Sequence, residues 1–142
     1  MIDISSNVFL TIRDKDWNLL ETRSAKNLVV NCGLQLVRDM LGGTGYRLDQ
    51  MQVGTGTSAT APSNTTLGTS VLTKDIDRRI QLTYGIEFQT LIDIDEANGY
   101  TLSEIGTFQQ NTMVARALIS PTISKTDAIQ VTLSHVFTIS AS

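Results

Sequence analysis

Strict alternation between apolar and polar residues in the second half of the chain constrains the fold more than any other feature. In the run 79–94 every even position holds an apolar or β-branched residue, and Ile129–Ile139 alternates in the same way. Successive side chains of a strand point to opposite faces, so this period of two predicts antiparallel strands with one buried face. Because the first run is longer than a typical strand, we expect it to bend or to serve two sheets, with a bulge at Gly85.

Turn signals separate further strands in this half. Asn98-Gly99 is a strong hairpin signal, and the strand that returns from it spans Tyr100–Phe108. A polar turn follows that strand, and the next strand, Met113–Ile119, is expected to end at Pro121 because proline donates no hydrogen bond to a ladder. The second half is therefore predicted to be β-structure throughout.

The N-terminal segment predicts a hairpin over residues 7–22. Val8–Ile12 alternate as a strand, Asp14–Asp16 supply a polar turn, and Trp17–Thr22 form the returning strand. Trp17 is expected in the core, and the alternatives are that it caps the sheet edge or lies at an interface.

A helix is predicted near residues 26–41. The apolar residues of this segment repeat with helical spacing, at Val30, Leu34, Val37 and Leu41. Ser24 or Asn27 is expected to cap its start, and Gly42-Gly43 to end it in a left-handed conformation. Cys32 lies within the helix and is expected to be a small core residue rather than a reactive thiol.

The segment 42–75 is predicted to be a long surface loop. Its centre, Gly54–Thr66, consists of small and β-branched residues with glycine and proline, a composition that favours turns over a core. Loops of this length usually have a binding or assembly role, although the loop is equally able to lie flat against its own domain.

These elements predict a mainly β fold. The expected architecture is an antiparallel β-sandwich or barrel, jelly-roll-like, with one α-helix near residues 26–41. At 142 residues the chain has the length of a single domain, 1–142. Within it we expect the hairpin 7–22, the helix 26–41, the surface loop 42–75 and the β-strands 78–140.

Composition excludes several classes of function. The net charge of −3 disfavours nucleic acid as a partner, because binding phosphates requires concentrated positive charge. A single cysteine precludes an internal disulfide, and together with a single histidine it argues against the common metal sites. No apolar run is long enough for a membrane span, and the first residues lack a signal-peptide pattern. We therefore expect no cofactor, no metal, no nucleic acid and no membrane.

Four patterns in the sequence are candidates for a binding or catalytic site, but their residues do not fit one. Gly54–Gly56 lacks the lysine and the following helix of a phosphate-binding loop. Asp93–Glu104 resembles a calcium loop, but Asn98 replaces the required glycine, so an acidic turn is expected and a weak surface cation is the alternative. His135 falls in the apolar register of the last strand, which indicates a core or interface histidine. Arg116 stands among apolar residues and must reach solvent, pair with an acid such as Glu104, or face another chain.

The order of several motifs resembles a module of tailed-bacteriophage structural proteins of the tail fibre or tail-collar type. The module has an asparagine-rich helix start before glycine and leucine, a valine-glycine-threonine-glycine-threonine loop, an alanine-proline-serine stretch, a glutamate-isoleucine-glycine strand and an alanine-arginine-alanine strand. Here these correspond to Asn27–Leu34, Val53–Thr57, Ala61–Leu67, Ser103–Phe108 and Val114–Ala117. The chain departs from the pattern at Thr107, where the family often has leucine, and the sequence stops at Ser142, where many fibres continue into a shaft and tip.

The resemblance implies a non-enzymatic component of the virion, assembled in the host bacterial cytoplasm, with other virion proteins as partners and a homo-oligomer, trimer favoured. A tail, baseplate or neck component, acting as a collar or in fibre attachment, is the leading expectation. A capsid decoration (cement) protein is the alternative, and a carbohydrate-binding adhesion module is the second alternative. The residues expected at assembly interfaces are Trp17, Gly54, Thr55, Gly56, Thr57, Pro62 and Arg116.

Overall fold

In a computed structural model, residues 2–141 are described and form nine strands and one helix. The elements, in chain order, are β1 (Ile2–Asp14), β2 (Leu19–Val29), α1 (Asn31–Leu41), β3 (Gln50–Gly54), β4 (Ser70–Asp75), β5 (Arg78–Leu82), β6 (Gly85–Ile92), β7 (Thr101–Gln109), β8 (Thr112–Ser124) and β9 (Ile129–Ala141). The chain is mainly β with a single helix among these residues, as the sequence predicts.

All nine strands belong to one antiparallel sheet in the order β4-β3-β7-β8-β2-β1-β9-β6-β5. The sheet curls into a half-barrel, and its two halves are joined between β2 and β8 by two residue pairs, Leu28 with Arg116 and Val29 with Ala115. Apolar side chains from both halves meet in a single core, which includes Leu10 and Leu133 from one half and Met51 and Ile105 from the other. The predicted sandwich is thus one continuous sheet folded over its own core.

Strands β1 and β9 form the longest ladder in one half of the sheet. They pair along their whole length, from Ile2 opposite Ala141 to Asp14 opposite Ile129. The alternation in β9 places Val131, Leu133 and His135 in the interior, as predicted.

The prediction of a helix over 26–41 is wrong at its start. The helix begins at Asn31, and residues up to Val29 complete β2, so the hairpin extends over 2–29 rather than 7–22. Asn27 pairs with Ser6 of β1, and Val29 pairs with Ala115 of β8, so this stretch makes ladder hydrogen bonds on both sides. These tertiary bonds outweigh a helical pattern that begins with the β-branched Val29 and Val30.

The predicted cap at the start of the helix is wrong, whereas the predicted end is confirmed. The N-cap is Val30, with no capping side chain, instead of Ser24 or Asn27. The Val30 N–H donates to the Val114 carbonyl, so the neighbouring strand contributes to fixing the helix start. Gly42 is the C-cap, and Gly43 takes the predicted left-handed conformation, with φ of 102°.

The alternating run 79–94 is two strands rather than one long strand. A turn at Thr83-Tyr84 separates β5 from β6, and Gly85 begins β6 instead of forming a bulge. The pairing of Ile80 with Glu87 puts the even residues of β5 on the opposite face from the even residues of β6. An unbroken period of two is therefore compatible with burial of only one strand: Phe88 of β6 is buried, while Leu82 of β5 is 43% exposed.

Two other predicted boundaries are wrong. The segment 42–75 is not all loop, because it contains β3 and β4, and Met51 and Val53 of β3 are buried in the core. Strand β8 continues past Pro121 to Ser124. Pairing between β7 and β8 shifts between Leu102 and Glu104, and Pro121 lies opposite this irregularity, where ladder hydrogen bonds are already interrupted.

The helix packs against β8 at a glycine. A Cβ added to Gly33 would lie 2.3 Å from the carbonyl oxygen of Val114, so no side chain fits there without moving the helix. This close approach also places Val30 and the half-buried Cys32 beside Phe108 and Met113 in a small second core, which agrees with the expected core position of Cys32.

We expect Gly33→Ala to destabilise the protein by about 1–3 kcal/mol, the usual cost of overpacking. Inside a helix the same change normally stabilises by up to about 1 kcal/mol, so the sign separates close packing from helix propensity. Gly45→Ala is the control, because a Cβ there meets nothing within 4 Å. Urea unfolding of both variants measures the difference, and an equal or greater stability of Gly33→Ala would contradict the packing argument.

Candidate functional site

A buried ion pair lies in the middle of the β7–β8 ladder. The side chains of Glu104 on β7 and Arg116 on β8 are 0% and 2% exposed. Arg116 donates from Nη2 and Nε to Oε1 of Glu104, at 3.0 Å and 3.2 Å. Of the three options that the sequence left for Arg116, the structure shows the pairing with Glu104.

Backbone amides of the loop between β3 and β4 complete the coordination of Glu104. Oε2 accepts the N–H groups of Gly56 at 2.7 Å and of Thr69 at 2.8 Å, and Oε1 accepts the N–H of Gly68 at 2.8 Å. The hydroxyl of Ser103 donates to the Gly56 carbonyl at 2.7 Å. Both ends of the loop 55–69 are therefore held by one carboxylate and its neighbour.

Arg116 holds the middle of the same loop. Its Nη1 donates to the Ala59 carbonyl and to Oδ1 of Asn64, both at 3.3 Å. Oδ1 of Asn64 also accepts the N–H of Ala61 at 2.9 Å, and the Pro62 carbonyl accepts the N–H of Asn31 at the start of the helix, at 2.8 Å. The loop lies against its own domain and is fixed at its ends, its centre and its apex.

The carboxylate of Glu104 remains charged in this environment. Burial alone would raise its pKa, but hydrogen bonds from the N–H groups of Thr69 and Gly68, from Arg116 and from the Gly56 N–H outweigh burial and lower the pKa of Glu104. The close approach also requires a glycine at position 56, because a Cβ there would lie 2.3 Å from Oε2 of Glu104.

The structure brings most of the predicted interface residues together. Gly54, Thr55, Gly56, Thr57 and Pro62 all belong to the end of β3 or to the loop that Arg116 holds. Thr57 and Pro62 are on its exposed side.

Trp17 lies elsewhere, and its predicted core position is wrong. It occupies the turn between β1 and β2 with a φ of 66°, and 58% of the residue is exposed. The positive φ belongs to a turn in which Asp14 accepts the N–H groups of Asp16 and Asn18, so the chain reverses before Trp17 is able to turn inward.

Sequence reasoning missed the residues that hold the loop. The sequence offers Glu104 as one partner of Arg116, but it does not indicate the bonds from Gly56, Gly68 and Thr69 to Glu104 or the role of Asn64. One signal was available: Glu104 stands inside the apolar strand Leu102–Phe108, where an acid needs several donors to be stable.

The acidic turn at Asp93–Gly99 packs against the buried side chain of Lys125. Lys125 is 1% exposed, and its Nζ donates to Oδ1 of Asn98 and to the Thr126 carbonyl, each at 2.8 Å, and to the Ile94 carbonyl at 3.4 Å. Burial lowers the pKa of Lys125, and the carboxylates of the turn, led by Asp93, partly offset this shift. The Lys125 ammonium thus bonds carbonyl and amide oxygens of the turn and of Thr126.

His135 is a core residue, as predicted. Its Nδ1 lies 2.5 Å from Oγ1 of Thr107 and 3.1 Å from Nδ2 of Asn27, which also donates to Oγ of Ser6 at 3.0 Å. Its Nε2 has no hydrogen-bond partner among residues 2–141. Burial lowers the pKa of His135 to about 3, so the imidazole is neutral at physiological pH.

Within 2–141 no three His, Cys, Asp or Glu side chains come together as a set of metal ligands. The one helix in this part of the chain is too short and too polar to cross a bilayer.

We expect Arg116→Met to destabilise the protein by about 3–5 kcal/mol, because it leaves the Glu104 charge buried without its partner. Hydrogen exchange at the amides of Gly56, Gly68 and Thr69 should accelerate in the same variant. The double variant Glu104→Gln with Arg116→Met should cost less than the sum of the single changes.

The matched control for this prediction is Asp39→Asn, which removes the pair with Arg38, whose side chain is 70% exposed. An exposed pair contributes up to about 1 kcal/mol, so this variant should be nearly neutral. If Arg116→Met behaved like the control in unfolding and exchange, the ion pair would not be what holds the loop.

The stability of the protein should fall as the pH is lowered from about 6.5 toward 3. Over this window the unfolded chain binds a proton at His135 that the folded chain does not, because the folded pKa is about 3 and the ordinary value is 6.5. The slope from one group is at most about 1.4 kcal/mol per pH unit.

His135→Gln tests this dependence, because the chain has one histidine and no other imidazole contributes. Urea unfolding between pH 6.5 and 5 avoids most carboxylate titration. The variant should show a flatter pH dependence in this range, and a slope equal to that of the unmodified protein would contradict the assignment.

Comparison with known proteins does not identify a relative. No family model, no curated protein and no solved structure matches this chain. The resemblance to tail fibre and tail-collar proteins therefore stays a prediction from the motifs, and the contacts described above are the basis for a functional proposal.

Proposed function

We propose that the protein is a non-enzymatic structural component of a tailed-bacteriophage virion that acts by assembling with other virion proteins. One observation carries the proposal: the separate motifs of the resemblance meet in space. The loop at Val53–Thr57, the stretch Ala61–Leu67, the strand with Glu104 and the strand with Arg116 form one hydrogen-bonded unit. This one hydrogen-bonded unit thus accounts for the order and spacing of the motifs along the chain.

This device suits assembly because it fixes the loop before any partner arrives. A loop held in its bound conformation loses little conformational entropy on binding, which strengthens association without new contacts. The exposed residues Thr57, Ser58, Pro62 and Ser63 are available on its outer side. The buried charges face the loop backbone and serve to position it.

A tail, baseplate or neck position is the leading form of the proposal, and a capsid decoration protein is its alternative. The two differ in stoichiometry, since decoration proteins follow the capsid lattice and tail or neck parts follow the symmetry of a single tail. No contact within the chain distinguishes these positions, so the measurement must be made on particles.

We expect quantitative mass spectrometry of purified virions to find between a few and a few dozen copies of this chain per particle. The major capsid protein in the same sample is the internal standard. A ratio near one-to-one with that protein would establish decoration and contradict the tail or neck position. Absence from purified particles would contradict the virion role altogether.

A carbohydrate-binding adhesion module is the second candidate, because one groove on the outer face of the sheet combines aromatic and polar side chains. Phe9 and Trp17, which are 44% and 58% exposed, border it together with Arg13, Glu87 and Gln89. Exposed aromatic rings beside hydrogen-bonding groups are suited to stacking against sugars. Under this function Trp17→Ala would abolish binding to host-cell glycans and leave particle assembly intact.

A further inference from the structure

The concave side of the half-barrel has an apolar groove that residues 2–141 leave open. The groove has a volume of about 610 Å³, with Leu36, Met40 and Leu41 of α1 on one side and Ile86, Phe137 and Ile139 of the sheet on the other. Leu41 is 86% exposed and Ile139 is 51% exposed. An uncovered apolar surface of this kind is typical of a protein contact.

Two arginines give the groove a positive rim. Arg47 and Arg79 both line it. Nη2 of Arg79 donates to the Leu48 carbonyl at 2.8 Å, while its Nε is buried without a hydrogen-bond partner in the described part of the chain. The positive charge of the two guanidinium groups favours an occupant that brings a negative charge to the rim.

The turn between β1 and β2 has the complementary character. We call residues 14–20 the hairpin tip. Its apolar side chains are uncovered, with Trp17, Leu19 and Leu20 at 58%, 62% and 56% exposure. Two carboxylates, Asp14 and Asp16, accompany a single Lys15.

The hairpin tip is pre-organised. Oδ1 of Asp14 accepts the N–H groups of Asp16 at 2.9 Å and Asn18 at 3.0 Å, and its Oδ2 accepts Nδ2 of Asn18 at 3.1 Å. The hydrogen bonds from Asn18 lead the causes that lower the pKa of Asp14, so its negative charge persists at neutral pH. The apolar residues of the tip are therefore held in an exposed position by the same turn.

The tip cannot reach the groove of its own chain. Ile4, near the start of β1, lines the groove, whereas Asp14 ends the same strand at the tip. At about 3.3 Å per residue the strand separates the two by roughly 33 Å. An occupant with the properties of the tip must come from a second molecule.

We propose that the hairpin tip of one copy of this chain inserts into the apolar groove of a second copy. Trp17, Leu19 and Leu20 cover the apolar walls, and the tip carboxylates meet the arginine rim. Because the two surfaces differ, two copies either exchange tips reciprocally in a two-fold dimer, or the contact repeats head to tail, which closes a ring or continues as a filament where the rotation does not close. This inference rests on the assembly role proposed above, and the homotrimer that the resemblance implies would be one such ring.

Two exposed-site variants test the contact in purified protein. Leu19→Asp places a charge on the tip, and Leu41→Asp places one at the groove; sedimentation velocity over a concentration series measures association. The unmodified chain should form oligomers, and each variant should dissociate with a Kd raised at least about tenfold. Tyr100→Asp is the control, because Tyr100 is 48% exposed and outside both surfaces, and it should associate like the unmodified chain.

Mixing the two variants gives the decisive result. Leu19→Asp retains an intact groove and Leu41→Asp retains an intact tip, so one native contact is restored and the other remains blocked. The mixture should form one-to-one dimers and no larger species. Thermal unfolding of each variant verifies that the fold is retained.

Three outcomes would overturn the proposal. They are a monomeric unmodified chain at all concentrations, an oligomer insensitive to Leu41→Asp, and variants that dissociate singly but form no dimer when mixed. The first would indicate that a different protein covers the groove, and the last would indicate a symmetric contact. The number of copies in virions is measured independently, so failure of self-association and failure of the virion role are distinguishable.

Discussion

The buried pair of Glu104 and Arg116 is the interaction on which the local structure depends most. Removing two charges from water is costly, and the cost is offset only where every remaining donor and acceptor is satisfied. Here the loop supplies that satisfaction: three backbone N–H groups bond Glu104, and a carbonyl and an amide oxygen bond Arg116. The ion pair and the loop therefore depend on each other, since the charges need the loop to be stable inside the fold and the loop needs the charges to be ordered.

The fold class followed from periodicity because a strand with one buried face leaves a direct record in the sequence. The strand β9 was predicted on this basis and is present. The hairpin predicted at Asn98-Gly99 is wrong, because β6 pairs with β5 and β9 while β7 pairs with β3 and β8, so the chain crosses there from one half of the sheet to the other. Errors arose where two structures share one local pattern. The run 79–94 reads as one strand because a two-residue turn preserves the alternation while exchanging the buried face. Residues up to Val29 carried a helical spacing, but their strand bonds to β1 and β8 come from distant parts of the chain.

The site was predictable only in part, for a related reason. The sequence indicated that Gly54–Thr57 and Pro62 form a distinctive loop and that Glu104 was one possible partner for Arg116. It did not indicate that the two features touch, because the contacts join distant parts of the chain. Glu104 is 35 to 48 residues from the loop amides that it accepts, and Arg116 is 52 residues from Asn64. Trp17 was misplaced because an isolated tryptophan is usually buried, whereas the left-handed turn residue at this position follows from the bonds of Asp14.

The two-pair junction between β2 and β8 has a mechanical consequence. It is the weakest ladder of the sheet, so the curvature of the half-barrel is least resisted there. Val29 and Val114, at this junction, also line the apolar groove. Arg116 is in the junction through its backbone and in the loop through its guanidinium, so any rearrangement of the β2–β8 pairing would also move the group that bonds Ala59 and Asn64.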